Sequence, residues 1–188
     1  MKNLTDEQII ESIKKGNKGD FTLLVDRYKD KGFSLLKRIL KNDLDAEEAL
    51  QDTFMKVFSS LNSFRFESKF STWFYKVTFN TGLTMAASKK RKIEKEMSSI
   101  EDHFELGHED ERIYSESENV KQYVMKLVDH LPPRNALLLI LFYIDDMSLK
   151  EISDILEISL VNTKVLLHRS RNILRDMLLK HNYQEEVL

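Results

Sequence analysis

The sequence contains no cysteine, only two prolines and only five glycines in 188 residues. The missing cysteines exclude a disulfide scaffold, a thiol nucleophile and a thiolate metal site, and they suit a reducing compartment. The shortage of glycine and proline leaves few turn residues for β-hairpins, so the composition predicts an all-α fold. A chain of this length can bury one ordinary core or two small ones.

Long apolar runs are also missing. The longest, Ala136 to Phe142, is far shorter than the roughly 20 residues that span a bilayer. The first residues lack the apolar core of a signal peptide. We therefore expect no membrane insertion and a cytoplasmic location.

Catalytic and cofactor motifs are absent from the sequence as well. It has no glycine-rich loop of the kind that cradles a nucleotide phosphate. His103 and His108 lie in a strongly acidic stretch without cysteine support, which favours solvated histidines over a metal site. The sequence predicts no catalytic residues, no metal and no cofactor, and thus a protein that is not an enzyme.

The charged residues are unevenly distributed. Residues 1–92 hold 18 Lys and Arg against 12 Asp and Glu, residues 93–119 hold two against ten, and residues 120–188 hold nine against nine. Residues 93–119 also lose the apolar rhythm that marks packed helices. We predict two small helical domains, 1–92 and 120–188, joined by a flexible acidic linker over 93–119. Within this linker, we expect residues 94–117 to be the first stretch that proteases cleave.

Capping patterns predict where the helices begin. Thr5 with Gln8 and Asp45 with Glu48 form capping-box patterns, and Ser71 precedes a long helix that runs to Arg91. Ser148 and Ser159 are positioned to cap the last two helices. Each domain is therefore predicted to contain four helices.

The last two predicted helices have the spacing of a helix-turn-helix. A short helix from Leu149 to Leu156 is followed by a break at Glu157 and Ile158 and then by a basic helix. Two packed helices with a short turn are common, so the spacing alone is weak. The basic helix strengthens the DNA-binding interpretation because phosphates attract cations on an exposed face, here Lys164, His168, Arg169, Arg171 and Arg175.

The helix after Phe70 combines aromatic residues with a basic end. Trp73 is more consistent with a core position than with a ligand site. Phe79, which we expect to be exposed, lies beside Asn80 and near Lys76, a combination that suits unpaired nucleic-acid bases. The alternative is a core helix with a solvated tail at Lys89 to Lys92.

Three segments in this order resemble the signatures of sigma factors: Asp43–Phe58, Phe70–Asn80 and Leu131–Arg171. Specifically, the chain resembles the extracytoplasmic-function group of the sigma-70 family, the small bacterial initiation subunits of RNA polymerase. The resemblance implies two domains, called sigma region 2 and sigma region 4. Its expected partners are core RNA polymerase through the β′ clamp helices and the β flap, promoter DNA, and an anti-sigma factor.

The resemblance also implies residue roles. It places core-polymerase docking on the helix from Asp45 to Phe58, at Asp45, Glu47, Glu48, Leu50, Gln51, Asp52 and Phe54. It places recognition and melting of the −10 element at Thr72, Lys76, Phe79, Asn80, Lys89, Lys90 and Arg91. It places recognition of the −35 element at Lys150, Ser159, Asn162, Lys164, Val165, His168, Arg169 and Arg171.

Several residues depart from the family pattern. Glu157 stands in the helix-turn-helix corner where the family usually has glycine, and Leu166 stands where it usually has arginine. Asn162 can still bond adenine, and Val165 can touch a thymine methyl group. The apolar strip formed by Val161, Val165 and Leu166 is equally suited to packing against a protein.

Two other functions therefore stay open at this point. An ordinary helix-turn-helix regulator binds duplex DNA without polymerase, and it leaves the Asp45 helix and Asn80 without a role. A degenerate sigma-like protein holds a protein partner without reading a promoter.

Overall fold

A computed structural model of the chain describes residues 4–97 and 120–185, and the side chains of residues 4–91 and 122–180. All regular structure in these ranges is helical. The eight α-helices are α1 (Asp6–Lys14), α2 (Phe21–Leu40), α3 (Asp43–Ser60), α4 (Phe70–Met97), α5 (Val120–Asp129), α6 (Pro133–Tyr143), α7 (Leu149–Leu156) and α8 (Leu160–Glu185). Short 3₁₀ turns, Lys18–Asp20 and Leu61–Ser63, precede α2 and follow α3. The predicted all-α fold is confirmed.

The helix starts follow the capping residues in some places and not in others. Thr5 and Gln8 form the predicted reciprocal capping box of α1. The predicted box at Asp45 and Glu48 is wrong, because α3 begins at Asp43 and its cap is Asn42, whose side chain accepts from the Asp45 amide. Ser159 caps α8 as expected, with its hydroxyl 3.2 Å from the Asn162 amide nitrogen.

The described residues form two compact units. The first contains the residues up to Lys89 together with Lys150–Glu157, and the second contains those of Lys90–Leu149 and Ile158–Leu188. α7 thus groups with the first unit. The domain boundaries at residues 92 and 120 stay predictions, since most of the acidic stretch 93–119 lies outside the described residues.

The first unit is built around the apolar faces of α1 to α4. Ile9, Ile10, Leu24 and Phe74 are completely buried in one cluster, and Leu36 and Ala49 belong to a second. α2 approaches its neighbours closely at Gly32, where an added Cβ would lie 2.8 Å from Leu50 Cδ1 and 3.0 Å from Phe74 Cζ. This close packing holds α3 and α4 in fixed positions relative to α2.

The second unit centres on α6, whose leucines are buried on nearly every side. The buried amide of Asn135 on α6 donates to Ser170 Oγ on α8 at 2.9 Å. The Ser170 hydroxyl in turn donates to the Leu166 carbonyl, so this polar group is satisfied inside the unit. The pair fixes which face of α8 turns inward, and hence which face is exposed.

Candidate nucleic-acid interfaces

The exposed side of α3 carries acids and a few large apolar residues. Glu47, Glu48, Gln51 and Asp52 are exposed, as docking residues must be. The carboxylate of Asp45 is more enclosed, at 17% exposure, and it pairs with Lys89 near the end of α4. Asp45 therefore joins two helices of its own unit in addition to lying near the surface.

Leu50 and Phe54 do not belong to this exposed side. Leu50 packs with the Leu36 cluster, and Phe54 packs against Phe74 with ring centroids 5.4 Å apart. Both side chains are partly buried because their positions on α3 turn toward α2 and α4, and their role in docking stays a prediction. The exposed apolar residues of α3 are instead Leu44, Met55 and Phe58, at 76%, 73% and 40% exposure. The sequence signal for them is their spacing from Glu48 and Gln51 along one helical face.

A pocket of about 430 Å³ opens between the end of α3, the loop over residues 61–69 and the start of α4. Trp73 forms one wall, with its ring tilted 32° against Phe64 at a centroid distance of 5.0 Å. The lining residues combine aromatic, cationic and hydroxyl groups: Lys56, Ser60, Ser63, Phe64, Arg65, Glu67, Ser68, Trp73 and Val77. An aromatic wall beside cations is the arrangement that holds an unpaired base and its phosphate. Sequence patterns do not indicate most of this set, since the loop has no helical periodicity.

Asn80 continues the face of α4 that forms the pocket. It follows Trp73 and Val77 at the spacing of one helical face, and its side chain is partly exposed. Its amide offers both a donor and an acceptor toward the solvent side of this face. Lys76 is also partly exposed, with Nζ 2.9 Å from Glu157 Oε1.

Two residues predicted to contact the −10 strand are buried. Phe79 is 1% exposed and Thr72 is 2% exposed. The expected surface role is wrong for both, because the inward sides of α4 also include positions 72, 75, 78, 79 and 82. Trp73, which lines the pocket, offers a stacking surface in place of Phe79.

The basic segment of α4 is exposed at Lys89, Lys90 and Arg91. Lys89 pairs with Asp45, so its charge is balanced within the unit. An exposed basic run on a helix provides a sequence-independent attraction for phosphates.

The exposed face of α8 has two valines and a histidine along its centre, with a cation on each side. Val161 and Val165 are 69% and 43% exposed. His168 follows on the same line, and Lys164 and Arg169 flank it on opposite sides at helical spacing. A helix that enters a major groove presents its centre to the base edges and its flanks to the phosphates.

Arg171 and Lys150 are partly committed to other contacts. Arg171 Nε donates to the Tyr143 hydroxyl at 2.6 Å, and its guanidinium lies 5.4 Å from the Tyr143 ring centroid. Lys150 Nζ lies 2.6 Å from Asp154 Oδ1, one turn further along α7. Both side chains are exposed, but each makes a contact within the protein.

A second pocket, of about 400 Å³, lies beside the exposed face of α8. It is lined by Ile158, Asn162, Val165 and Leu166, with Arg134 and Arg169 adding positive charge. Sequence patterns do not connect Arg134 with this site, because it lies on α6, far along the chain from Asn162. Leu166 therefore lines a concave surface beside the valines.

Ser159 caps the start of α8, so its contribution to this face is to the helix rather than to a ligand. Asn162 is exposed one turn later. Glu157, in the corner before Ser159, has a φ of 55°. This is the left-handed region that favours glycine. The corner thus has the geometry that the family pattern implies, although its residue differs.

Metal and membrane sites are not found in the described part of the chain. Among the side chains that the structure describes, no group of three or more His, Asp or Glu is placed to hold a metal ion. His103 and His108 lie outside the described residues. Of the helices described, none is long and apolar enough to cross a membrane.

These surfaces define an all-α protein with one candidate site for single-stranded nucleic acid and one basic helix for duplex DNA. The family models agree with this class: Sigma-70 region 2 matches residues 24–92, and Sigma-70, region 4 matches residues 121–174. The chain is 33% identical over 182 residues to the ECF RNA polymerase sigma factor SigW of Bacillus subtilis, covering 90% of this chain and 94% of that protein. It is 30% identical over 175 residues to the ECF RNA polymerase sigma-E factor of Escherichia coli, covering 89% and 91%.

A solved structure shares the fold. The sigma factor RpoE of Bartonella quintana, determined with the anti-sigma factor NepR, has a TM-score of 0.63 to this chain at 18% identity, covering 85% of this chain and 96% of that one. The chain belongs to the ECF sigma factors of the sigma-70 family.

Proposed function

We propose that this chain binds core RNA polymerase as an alternative sigma factor and directs it to a specific set of promoters from the cytoplasm. The observation that supports this most is the order of surfaces along the chain. An acidic and apolar helix face, a pocket suited to an unpaired base, and a basic reading helix follow one another in the order of sigma regions 2 and 4. The polymerase supplies the chemistry, and this chain supplies position and strand capture.

The docking surface that we propose lies on α3. Glu47, Glu48 and Asp52 offer carboxylates to arginines of the β′ clamp helices, while Met55 and Leu44 supply exposed apolar area. This set keeps three of the four predicted acids, leaves out Asp45 because it pairs with Lys89, and adds exposed apolar residues to the predicted Leu50 and Phe54. In stable interfaces, charged groups at the rim orient the partner, and the apolar centre is buried away from water.

The −10 strand is proposed to bind the pocket beside α4. Trp73 supplies the stacking wall, and Lys56 and Arg65 supply phosphate attraction. Asn80, which lies beyond the pocket lining on the same face of α4, supplies base-edge hydrogen bonds. A base enters such a pocket only after it has left the duplex stack. Binding there therefore stabilises the melted state relative to the closed duplex, which is how a sigma factor promotes opening.

The −35 element is proposed to be read by α8. Val161 and Val165 occupy the centre of its exposed face and contact thymine methyl groups, while Asn162 bonds adenine. Lys164, Arg169 and Arg134 contact phosphates on the two sides. Because Leu166 replaces the usual arginine, this helix relies more on apolar contacts than the family pattern implies.

An anti-sigma factor is proposed as a further partner, by analogy with the solved RpoE structure. The proposed domains for all these roles are residues 1–92 and 120–188, with the acidic stretch 93–119 between them.

In vitro transcription tests the proposal directly. The full chain is combined with core polymerase from the same source organism and offered genomic fragments, and transcript starts are mapped. We expect starts that share a −10 and a −35 element and that require the chain. Duplex binding without any gain in core-dependent initiation would indicate an ordinary regulator, and core binding without initiation would indicate the degenerate sigma-like protein.

A further inference from the structure

The loop over residues 61–69 contains a strained residue. Phe66 has a φ of 57° and is 40% exposed. A bulky aromatic residue rarely adopts the left-handed region, and such strain persists only when neighbouring contacts hold it in place. Contacts with neighbouring residues therefore hold the Phe66 backbone in this conformation.

Lys14, the last residue of α1, makes two contacts with the loop. Its Nζ donates to the Phe64 carbonyl at 2.5 Å. The same ammonium lies 4.8 Å from the centroid of the Phe66 ring, within the range of a cation–π interaction. One side chain therefore anchors both the backbone and the strained aromatic residue.

These contacts lead to the pocket through a series of aromatic rings. The rings of Phe66 and Phe64 meet edge to face at 5.1 Å, and Phe64 packs on Trp73 at 5.0 Å. Phe64, Arg65 and Trp73 all line the pocket. The backbone that Lys14 holds is thus the backbone that shapes the pocket.

Contacts with α2 hold α1, and therefore Lys14, in place. The Tyr28 hydroxyl donates to Asp6 Oδ2 at 2.5 Å, and Arg27 pairs with the same carboxylate. Burial and the Asp6 carboxylate raise the pKa of Tyr28 well above its ordinary value, so the phenol stays protonated and remains the donor. α1 lies before residue 24, where the match to sigma-70 region 2 begins.

We propose that Lys14 is a positioning residue that holds the 61–69 loop in the conformation that accepts an unpaired base. The inference rests on the proposed function of the pocket. Without the ammonium, Phe66 relaxes toward negative φ, and Phe64 and Arg65 shift away from Trp73. The pocket then has to be rebuilt each time a base binds, which lowers affinity and weakens discrimination between bases.

The test compares two lysines in adjacent positions. Lys14→Met removes the donor and the charge while it keeps most of the length of the side chain. Lys15→Met is the matched control, since it removes the same charge from an exposed neighbour. Lys14→Arg is the rescue variant, because arginine can also donate to a carbonyl and lie over an aromatic ring.

The full chain carries one tryptophan, Trp73, so a base that enters the pocket changes its fluorescence directly. The probe is a pool of single strands of about ten nucleotides with randomised sequence, within the usual site size. Affinity is measured by Trp73 quenching, and selectivity is measured by sequencing the retained strands. Core-polymerase affinity and the melting temperature are recorded for each variant.

We expect Lys14→Met to weaken strand binding by about tenfold and to broaden the retained sequences, and Lys14→Arg to restore both. Lys15→Met should change the affinity only slightly, and all three variants should keep the core affinity of the unmodified chain. If Lys14→Met and Lys15→Met lose affinity equally and retain the same sequences, Lys14 acts only as a charge and the proposal fails. If the unmodified chain retains no preferred strand and shows no quenching, the proposed function of the pocket itself fails.

Discussion

Glu157 adopts a backbone conformation that normally favours glycine. Its φ of 55° lies in the left-handed region, where a Cβ costs roughly 1 kcal/mol. The residue lies in the corner between α7 and α8, and replacing it with glycine should relieve that cost. We expect Glu157→Gly to raise the free energy of unfolding by about 1 kcal/mol, measured by calorimetry.

Glu157→Ala is the matched control for this substitution. Both variants lose the ion pair with Lys76, but alanine keeps the Cβ and therefore the strain. The gain should appear in the glycine variant alone. Equal stability of the two variants would show that the corner is not strained by its side chain.

Asn80 tests whether the pocket face of α4 captures a melted strand. An amide that bonds a base edge contributes on the scale of one good base contact, so Asn80→Ala should cost about 1–3 kcal/mol in binding a −10 single strand. Open-complex formation, followed by permanganate footprinting of the holoenzyme, should fall in parallel. Holoenzyme assembly and binding to a closed −35 duplex should not change.

Asn17→Ala is the control, because Asn17 is an exposed amide after α1 that lies neither on α4 nor in the 61–69 loop. It should melt promoters normally. Normal melting by the Asn80 variant would remove this face from strand capture.

Residue roles on α4 show the limit of reasoning from periodicity. The sequence places apolar side chains on several sides of this helix, so the pattern does not indicate which aromatic is exposed. Burial of Phe79 depends on the neighbours of α4, including α2, which comes so close that a Cβ added at Gly82 would lie 2.9 Å from Ile39 Cδ1. Asn80 has a polar amide side chain, which favours an accessible position, and it is partly exposed.

At the scale of elements, α3 separates the residues that build the fold from those that are free to dock. Glu47 and Glu48 are exposed in its second turn, whereas Asp45 is tied to Lys89. Reversing the charges of Glu47 and Glu48 therefore tests docking without breaking the Asp45–Lys89 ion pair. We expect Glu47→Lys with Glu48→Lys to weaken binding to core polymerase by roughly tenfold or more, because like charges then face the arginines of the partner.

Glu11→Lys with Asp30→Lys is the control, since it reverses two exposed acids on α1 and α2. It should leave core affinity near that of the unmodified chain. Both double variants should keep the same melting temperature, because exposed charges contribute little to stability. If core affinity is unchanged in the α3 variant, docking does not use this face.

The helices themselves are largely predictable from the sequence, and the pocket is not. Local signals such as the Thr5 and Gln8 capping box and the Ser159 cap need only residues three positions apart. The pocket needs residues from α3, an irregular loop and α4, and its shape depends on a left-handed Phe66 held by Lys14. No local pattern encodes contacts between residues 50 positions apart.

At the scale of the whole molecule, the net charges of residues 1–92 and 93–119 are opposite in sign, whereas residues 120–188 are balanced. The basic residues of 1–92 attract any nucleic acid, whereas the ten acids of 93–119 repel it. A free chain with this distribution should bind non-specific duplex weakly, so that promoter binding depends on the polymerase.

Replacing the ten acids of 93–119 with their amides tests this balance. The variant loses ten negative charges, so its affinity for a non-specific duplex should rise by at least about tenfold near 50 mM salt. The difference should shrink near 200 mM salt, because screening weakens the repulsion that the acids supply. A chain in which residues 93–119 are scrambled keeps the composition and should bind like the unmodified protein. Fluorescence anisotropy measures all three affinities across the salt series. An amide variant that binds no more tightly than the scrambled chain at low salt would show that these acids do not restrain the free chain.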